Sequence, residues 1–414
     1  MTTSREGVVR PLGGFERTID FYMRQNPLQF SLVAEIDRPV PEAELTAALA
    51  KLRLRHPLLA VTVDRAAPEA VYRWTDRVSP VTTLPESTPW QAVVAAEQTR
   101  PIPSAPGPLV RAALLPRGRR CDIVLTFAHQ ITDGVGGLRA MLDLVAALDG
   151  EEQVPGGVPE AQEALLARVI TPPGTVVAAA QPDDPRMSAT GELAAFSGHL
   201  PHLQALALDQ ELTTRLVHRC RRESASVHAA LCAAAAVVFH RRGREFVRVL
   251  TPVDLRRACD LPDEVVNRFV GARTSSEAHE ADDFWKLARS TRESLMRQRA
   301  PHVLQAGAAQ LTEHAPASGP EAEAMMAAAT AADIQITNLG VAEPRRHGAG
   351  TLTALWGPAQ ITQLRGEHVL GVVTVGGRLR MTELTHEPVA GLVGDIGAVL
   401  AEACAEPEAG AERA

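Results

Sequence analysis

The sequence predicts an α/β protein made of two sandwiches, each mixing strands with helices. Three observations carry this prediction. Apolar runs of strand length alternate with helix-period segments in both halves of the chain. A stretch rich in proline and glycine, residues 151–190, breaks the pattern between them. The 414 residues exceed what one ordinary core holds. The expected division is a domain over 1–165, a linker over 166–189 and a second domain over 190–414.

Taken in order, "FSLVAEID" (30–37) reads as a strand. Pro41 opens a helix whose Leu45, Ala48, Leu49 and Leu52 fall at i, i+3, i+4 and i+7. The helix stops at "RHP", because proline disfavours helix in the residue before it. "LLAVTVD" (58–64) and "AVYRW" (70–74) are strands, and a helix follows over 88–99. "GPLVRAALL" (107–115) and "CDIVLTFAH" (121–129) are further strands. The last is apolar on both faces apart from Thr126 and so reads as central. After Gly134, residues Leu138, Met141, Leu142, Val145 and Leu148 line one helix face, closed by Gly150.

The second half restarts with a helix over 209–222. Ser226 then caps an alanine-rich helix that runs to about 241 and stops at Gly243. "EFVRVLTPVDLRR" (245–257) is a strand running into a loop. Helices are expected over 282–299, 302–313 and 320–331. Strands are expected over 333–340, 351–357, 369–377 and 378–384, with a last helix from Pro388. The tail "AEPEAGAERA" has a disordered composition.

Bulk properties exclude several classes. Hydrophobic residues are 45% and charged residues 22%, ordinary for a globular chain. A net charge of -7 gives no global reason to bind nucleic acid or an anionic membrane. Five scattered cysteines form no CxxC pair, which argues against zinc or a disulfide framework. The N-terminus lacks an apolar segment of signal-peptide length, and no run approaches the roughly 18 apolar residues of a membrane span. The expectation is a cytoplasmic monomer without a metal or bound cofactor.

The stretch "VLTFAHQITDGVGG" (124–137) carries the chemistry. A histidine at the end of a central strand sits where core meets cavity, part desolvated and neutral near pH 7, which suits a general base. Asp133-Gly134 suggests a tight turn, with Gly134 free to take positive φ. A bland alternative stands beside this: a strand-edge histidine and an aspartate that caps the next helix. There is no GxSxG, no well-placed cysteine nucleophile and no phosphate-binding glycine loop. The pair His199 and His202 in "HLPH" has no acidic or cysteine support for a metal. The arginine clusters "RGRR" (117–120), "HRCRR" (218–222) and "RRGR" (241–244) read as solvated faces, or else as docking patches for a phosphate or an acidic protein.

His129-Gln130-Ile131-Thr132-Asp133-Gly134 matches HxxxDG and resembles the signature of thioester-dependent acyltransferases. These include chloramphenicol acetyltransferase, peptide-synthetase condensation domains and the polyketide-associated acyltransferases of actinobacteria. Other landmarks occur in the matching order: "RHPLLAVTV" (55–63), "GPLVRAAL" (107–114), "PVDLRR" (252–257), "VNRFVG" (266–271) and "ITNLG" (336–340). The free-standing polyketide-associated and alcohol acyltransferases resemble the chain most. Ala128 stands where condensation domains carry a first histidine of HHxxxDG, and the DFGWG signature of the plant acyl-CoA transferases, another branch of the superfamily, is absent.

The resemblance implies two chloramphenicol-acetyltransferase-like domains with an active-site tunnel between them. It implies His129 as the base that takes a proton from a small-molecule hydroxyl or amine while that group attacks a thioester of coenzyme A or an acyl carrier protein. Asp133 would hold the loop by pairing with Arg256, or failing that Arg257, as a bidentate clamp around a buried carboxylate. Gly134 would keep the pocket mouth clear. Asn338 would orient the acceptor or the oxyanion, or merely hold a turn before Gly340. Two other functions stay open: a free-standing condensation enzyme joining carrier-bound groups, and a non-catalytic module that recruits a carrier.

Overall fold

The computed structural model describes residues 7–67, 69–169, 184–343 and 352–405. Its strands are β1 (Val8–Pro11), β2 (Gln29–Ile36), β3 (Val61–Asp64), β4 (Val71–Trp74), β5 (Val81–Thr83), β6 (Val110–Arg117), β7 (Arg120–Ala128), β8 (His202–Ala207), β9 (Phe246–Asp254), β10 (Phe269–Glu277), β11 (Ile334–Val341), β12 (Leu352–Gln360), β13 (Val369–Val375) and β14 (Arg378–Thr385). Its helices are α1 (Gly14–Tyr22), α2 (Glu42–Arg55), α3 (Trp90–Gln98), α4 (Gly134–Leu148), α5 (Gln162–Val169), α6 (Gln210–Arg222), α7 (Val227–Arg241), α8 (Leu255–Ala258), α9 (Phe284–Gln298), α10 (Pro301–Glu313), α11 (Gly319–Thr330) and α12 (Leu392–Cys404).

Two large sheets organise these elements, as the α/β expectation requires. The first runs β12-β2-β7-β6-β5. Successive side chains alternate between its faces. Leu32, Ile123 and Leu125 pack on one side with Leu45, Leu49, Met141 and Leu144 from α2 and α4. Val33, Val124 and Leu115 face the other way, against Trp90, Val93 and Val94 of α3. β7 is therefore covered on both faces, and its eight residues from Cys121 to Ala128 are all buried. The second sheet runs β10-β9-β11-β13-β14-β8, with α7 and α12 packed on one face through Ala234, Val238, Ile396 and Leu400. A small sheet β1-β4-β3 closes one side.

Two features cross the expected boundary at 166–189. β12, from the second half of the chain, pairs antiparallel with β2 of the first sheet, Leu355 opposite Ala34. It also crosses directly over β13. A Cβ at Gly371 would lie 2.0 Å from the Pro358 carbonyl oxygen, so only glycine admits that approach. α5 lies where the proline-rich stretch predicted a break, and its Leu165 and Leu166 pack with Val253, Leu255 and Leu295 of the second half. The remainder of the expected linker, 170–183, lies outside the described residues, as does most of the tail.

Other elements escaped sequence analysis, β10, β8 and α1 among them. β10 is an edge strand reading "FVGARTSSE", with no apolar run to mark it. β8 is the other edge, "HLQALA". α1 buries Glu16, Thr18 and Asp20, so polar side chains occupy its inner face and spoil the apolar period. Among the described residues no single helix is long and apolar enough to cross a membrane.

Candidate active site

The strand β7 delivers His129 to a cavity. β2 and β7 pair in register, Gln29 opposite Ala128, and the His129 amide donates to the Leu28 carbonyl at 2.9 Å. The imidazole then sits between two phenylalanine rings, Phe30 at 5.3 Å and Phe269 at 5.6 Å, one from each half of the chain. Only 8% of the residue is exposed. Desolvation pushes its pKa below the ordinary imidazole value of 6.5; the nearby Asp133 charge opposes this only in part. Among the described residues no carboxylate is hydrogen-bonded to the ring. The imidazole is thus neutral near pH 7 and able to accept a proton.

The cavity measures about 510 Å³. Phe15, Ile19 and Leu28 line it from the first half, and Leu250, Pro252 and Phe269 from the second. Its walls are chiefly apolar, with Thr337, Asn338, Gln335 and Gln360 among the polar exceptions.

Asp133 points away from the histidine. It is the N-cap of α4, and its Oδ1 accepts from the Gly136 amide at 2.8 Å. Its Oδ2 accepts from Arg256 Nη1 at 3.0 Å and from the Arg268 amide at 2.7 Å. Arg256 is the partner expected from sequence, and Arg257 is exposed at the cavity wall instead. The clamp is not bidentate. Arg256 Nη1 donates to Asp254 Oδ1 at 2.9 Å as well as to Asp133, and Nη2 donates to the carbonyls of Glu264 and Val266 at 3.0 and 2.7 Å. The guanidinium therefore ties the His129 loop to a whole turn of the second half.

Gly134 does not take the positive φ that an Asp-Gly turn suggested; it begins α4 directly. Its need is steric. A Cβ there would lie 3.0 Å from Leu339 Cδ2 and 3.3 Å from Pro358 Cγ at the cavity wall. Asn338 also lines the cavity, and its Oδ1 accepts from the Gly340 amide at 2.9 Å. It holds the turn before Gly340, whose φ is +79°, while its amide nitrogen remains as a donor.

Asn267 was not among the residues singled out from sequence. Its Nδ2 donates to the carbonyls of His129 and Gln130, at 2.9 and 3.0 Å. Gln130 in turn donates to Asp20 Oδ1 at 2.9 Å, and Arg65 holds that carboxylate from the other side. The signal lay in "VNRFVG": Asn and Arg together in an apolar run must find buried partners if the run is buried. His199 bonds Ser197 Oγ at 2.8 Å, and His202 is exposed on β8. Among the described residues no group of three or more His, Cys, Asp or Glu side chains is placed to hold a metal ion.

Comparison with known proteins fits this arrangement. Residues 197–350 match the family model described as phthiocerol/phthiodiolone dimycocerosyl transferase C-terminus. The whole chain superposes on polyketide synthase associated protein 5 from Mycobacterium tuberculosis with a TM-score of 0.69, at 17% identity, covering 98% of this chain and 100% of that one. The chain shares its fold with known acyltransferases and condensation domains. A trichothecene 15-O-acetyltransferase from Fusarium sporotrichioides shares the fold at a TM-score of 0.66 and 14% identity, with 97% and 96% of the two chains covered. So does the first condensation domain of the CDA synthetase, at 0.64 and 16%, with 98% of each chain covered. A search of curated proteins gave no significant match. Within this shared fold, the cavity beside the HxxxDG loop of the present chain has walls from both halves.

Proposed function

We propose that the protein is an acyltransferase that moves an acyl group from a thioester to a hydroxyl or amine acceptor by direct attack. The observation that carries this is the placement of His129: a desolvated, neutral imidazole in the wall of a chiefly apolar cavity, on a loop locked by Asp133, Arg256 and Asn267. In the proposed step His129 accepts the acceptor's proton as its oxygen or nitrogen bonds to the thioester carbonyl. The tetrahedral oxyanion collapses, the carbon–sulfur bond breaks, and the proton passes to the leaving thiolate. Products are an ester or amide and a free thiol. Asn338 Nδ2 is the side-chain donor we assign to the acceptor or the oxyanion. No covalent acyl-enzyme is needed: Cys232, within 3.5 Å of the His228 ring, is fully buried, and burial pushes its thiol up to about 12.

The test is thiol release from a panel of acyl-coenzyme A and acyl-carrier substrates with alcohol and amine acceptors. Turnover is expected with at least one pair. His129→Ala should lower kcat by about 10²–10⁴-fold, the usual contribution of a positioned base. Near-wild-type turnover in a folded His129→Ala protein would overturn the assignment.

A further inference from the structure

The aromatic rings around His129 are held unequally. Phe30 is fully buried in the first core, so close packing fixes its ring. Phe15 and Phe269 line the cavity and are only half-buried. They come from opposite halves of the chain, and their rings meet edge to face at 5.2 Å. Phe269 is the ring that covers the imidazole from the second half. A half-buried ring has fewer neighbours to fix it, so its backbone attachment matters more.

Both backbones are attached to one turn of α5. Phe269 opens β10, an edge strand with no ladder partner on its outer side, and its amide donates to Gln162 Oε1 at 3.2 Å. Phe15 lies in the first turn of α1, where amides lack intrahelical partners, and its amide donates to Glu163 Oε1 at 2.6 Å. Two consecutive residues thus catch one amide from each half, and both are amides that secondary structure leaves unpaired. The approach is close: a Cβ at Gly13 would lie 2.5 Å from Ala161 Cβ and 2.7 Å from Glu163 Oε2. The start of α5 is itself anchored on both sides. Arg10 Nε donates to the Pro159 carbonyl at 2.8 Å, and Leu165 and Leu166 pack with Val253 and Leu255. Gln162 is 3% exposed, so its bond to the Phe269 amide is shielded from water.

We infer that Gln162 and Glu163 are positioning residues for His129: through two backbone amides they hold the Phe15 and Phe269 rings as a cover that keeps water from the imidazole. The assignment rests on the reading of His129 as the base, and it names the residues that keep that base desolvated. Neither side chain reaches the reacting atoms; each acts through a ring of the cavity wall. The segment that crosses between the two halves thereby fixes the aromatic contact between them.

The test follows the titration of the His129 ring by NMR in protein carrying isotope-labelled histidine, its signal identified by its loss in His129→Ala. No substrate is required, so the result stands even if the proposed reaction fails. Gln162→Ala and Glu163→Ala should each raise the His129 midpoint toward the 6.5 of a solvated imidazole, because burial is what lowers it. Loss of the Glu163 charge alone would move the midpoint the other way. The charged residues of the cavity lining are Asp133, Asp254, Arg257 and Arg299, and among the described residues none bonds to Gln162 or Glu163. Glu163→Gln keeps an acceptor for the Phe15 amide and should keep the wild-type midpoint. An unmoved midpoint in both folded alanine variants overturns the assignment. If either variant fails to fold, hydrogen exchange in the wild-type protein decides. The Phe15 and Phe269 amides should exchange about tenfold more slowly than unprotected amides, as one net hydrogen bond implies. Free exchange at both overturns the assignment equally. Where acyl transfer is found, the pH profile of kcat/KM should shift with the NMR midpoint. A profile that stays put while the ring's titration moves upholds the positioning role and removes His129 as the titrating base.

Discussion

His129 depends on groups that never touch the substrate. Asp133 satisfies three donors at once, the amides of Gly136 and Arg268 and one nitrogen of Arg256. Asp133→Ala leaves the buried Arg256 guanidinium with Asp254 as its remaining carboxylate and orphans the amides of Gly136 and Arg268, a loss of about 1–3 kcal/mol. Chemical denaturation should show that loss together with falling activity; an unchanged midpoint would remove Asp133's structural role. Asn267→Ala removes two hydrogen bonds to the carbonyls of His129 and Gln130. The Gln130 carbonyl keeps the Tyr72 hydroxyl as a donor, and loss of the bond to the His129 carbonyl should cost about 1–3 kcal/mol. Its kcat should fall with little change in KM, since only the base is displaced.

The same residue scale sets the pH profile. Burial lowers the His129 pKa, so the active, neutral form persists to more acid pH than a free imidazole's would. kcat/KM should climb with pH with its midpoint below 6.5. A midpoint at or above 6.5 would show that His129 is better solvated in solution, or that another group titrates.

At the scale of elements, the crossing of β12 over β13 is the feature that joins the two sheets. It relies on a glycine at 371, because the Pro358 carbonyl occupies the space of a side chain. Gly371→Ala should destabilise the protein by about 1–3 kcal/mol, as overpacking does, even though alanine is otherwise compatible with a strand. Thermal melting would measure it. A wild-type melting temperature would mean that β12 can shift without cost. Helices fared well in the sequence because their caps are local. Ser226, Asp283 and Ser318 each accept an amide from the first turn of the helix that follows. The edge strands β8 and β10 carry no comparable signature, since one side of each ladder and much of each face need no apolar residue.

At the scale of the whole molecule, burial lowers the pKa of four histidines, His56, His129, His228 and His386. The unfolded chain takes up protons near pH 6.5 that the folded chain refuses, so stability falls as pH drops through that value, down to about 4 where His228 titrates. Glu367 works the other way. Its burial raises the carboxyl to about 7, despite bonds from the amides of Thr362 and Leu364, so its contribution is lost as pH rises from 4.5 to 7. Burial raises the Glu163 carboxyl in the same sense, and four histidines against two carboxyls leave a net loss on acidification. Urea midpoints at pH 7.5 and 5.0 should differ accordingly. A higher midpoint at pH 5.0 would contradict the burial of these rings.

The sequence by itself determined the α/β class, most helices, the central strand β7 and the site's local core. His129, Asp133 and Gly134 lie within six residues, and their placement follows from one apolar run and one helix cap. Arg256 was also legible, through the resemblance of "PVDLRR". What only the tertiary structure decided involves residues distant in the chain. Asn267 meets His129 across 138 positions, and Arg256 meets Asp133 across 123. β12 leaves its own half to complete the other's sheet, and the space at Gly134 is limited by Leu339 and Pro358 rather than by a turn. The physical reason is the range of the interactions. Hydrophobic period and capping act over a few residues and leave their mark in the local sequence. A buried hydrogen bond or a close backbone approach depends on which segments the fold brings together.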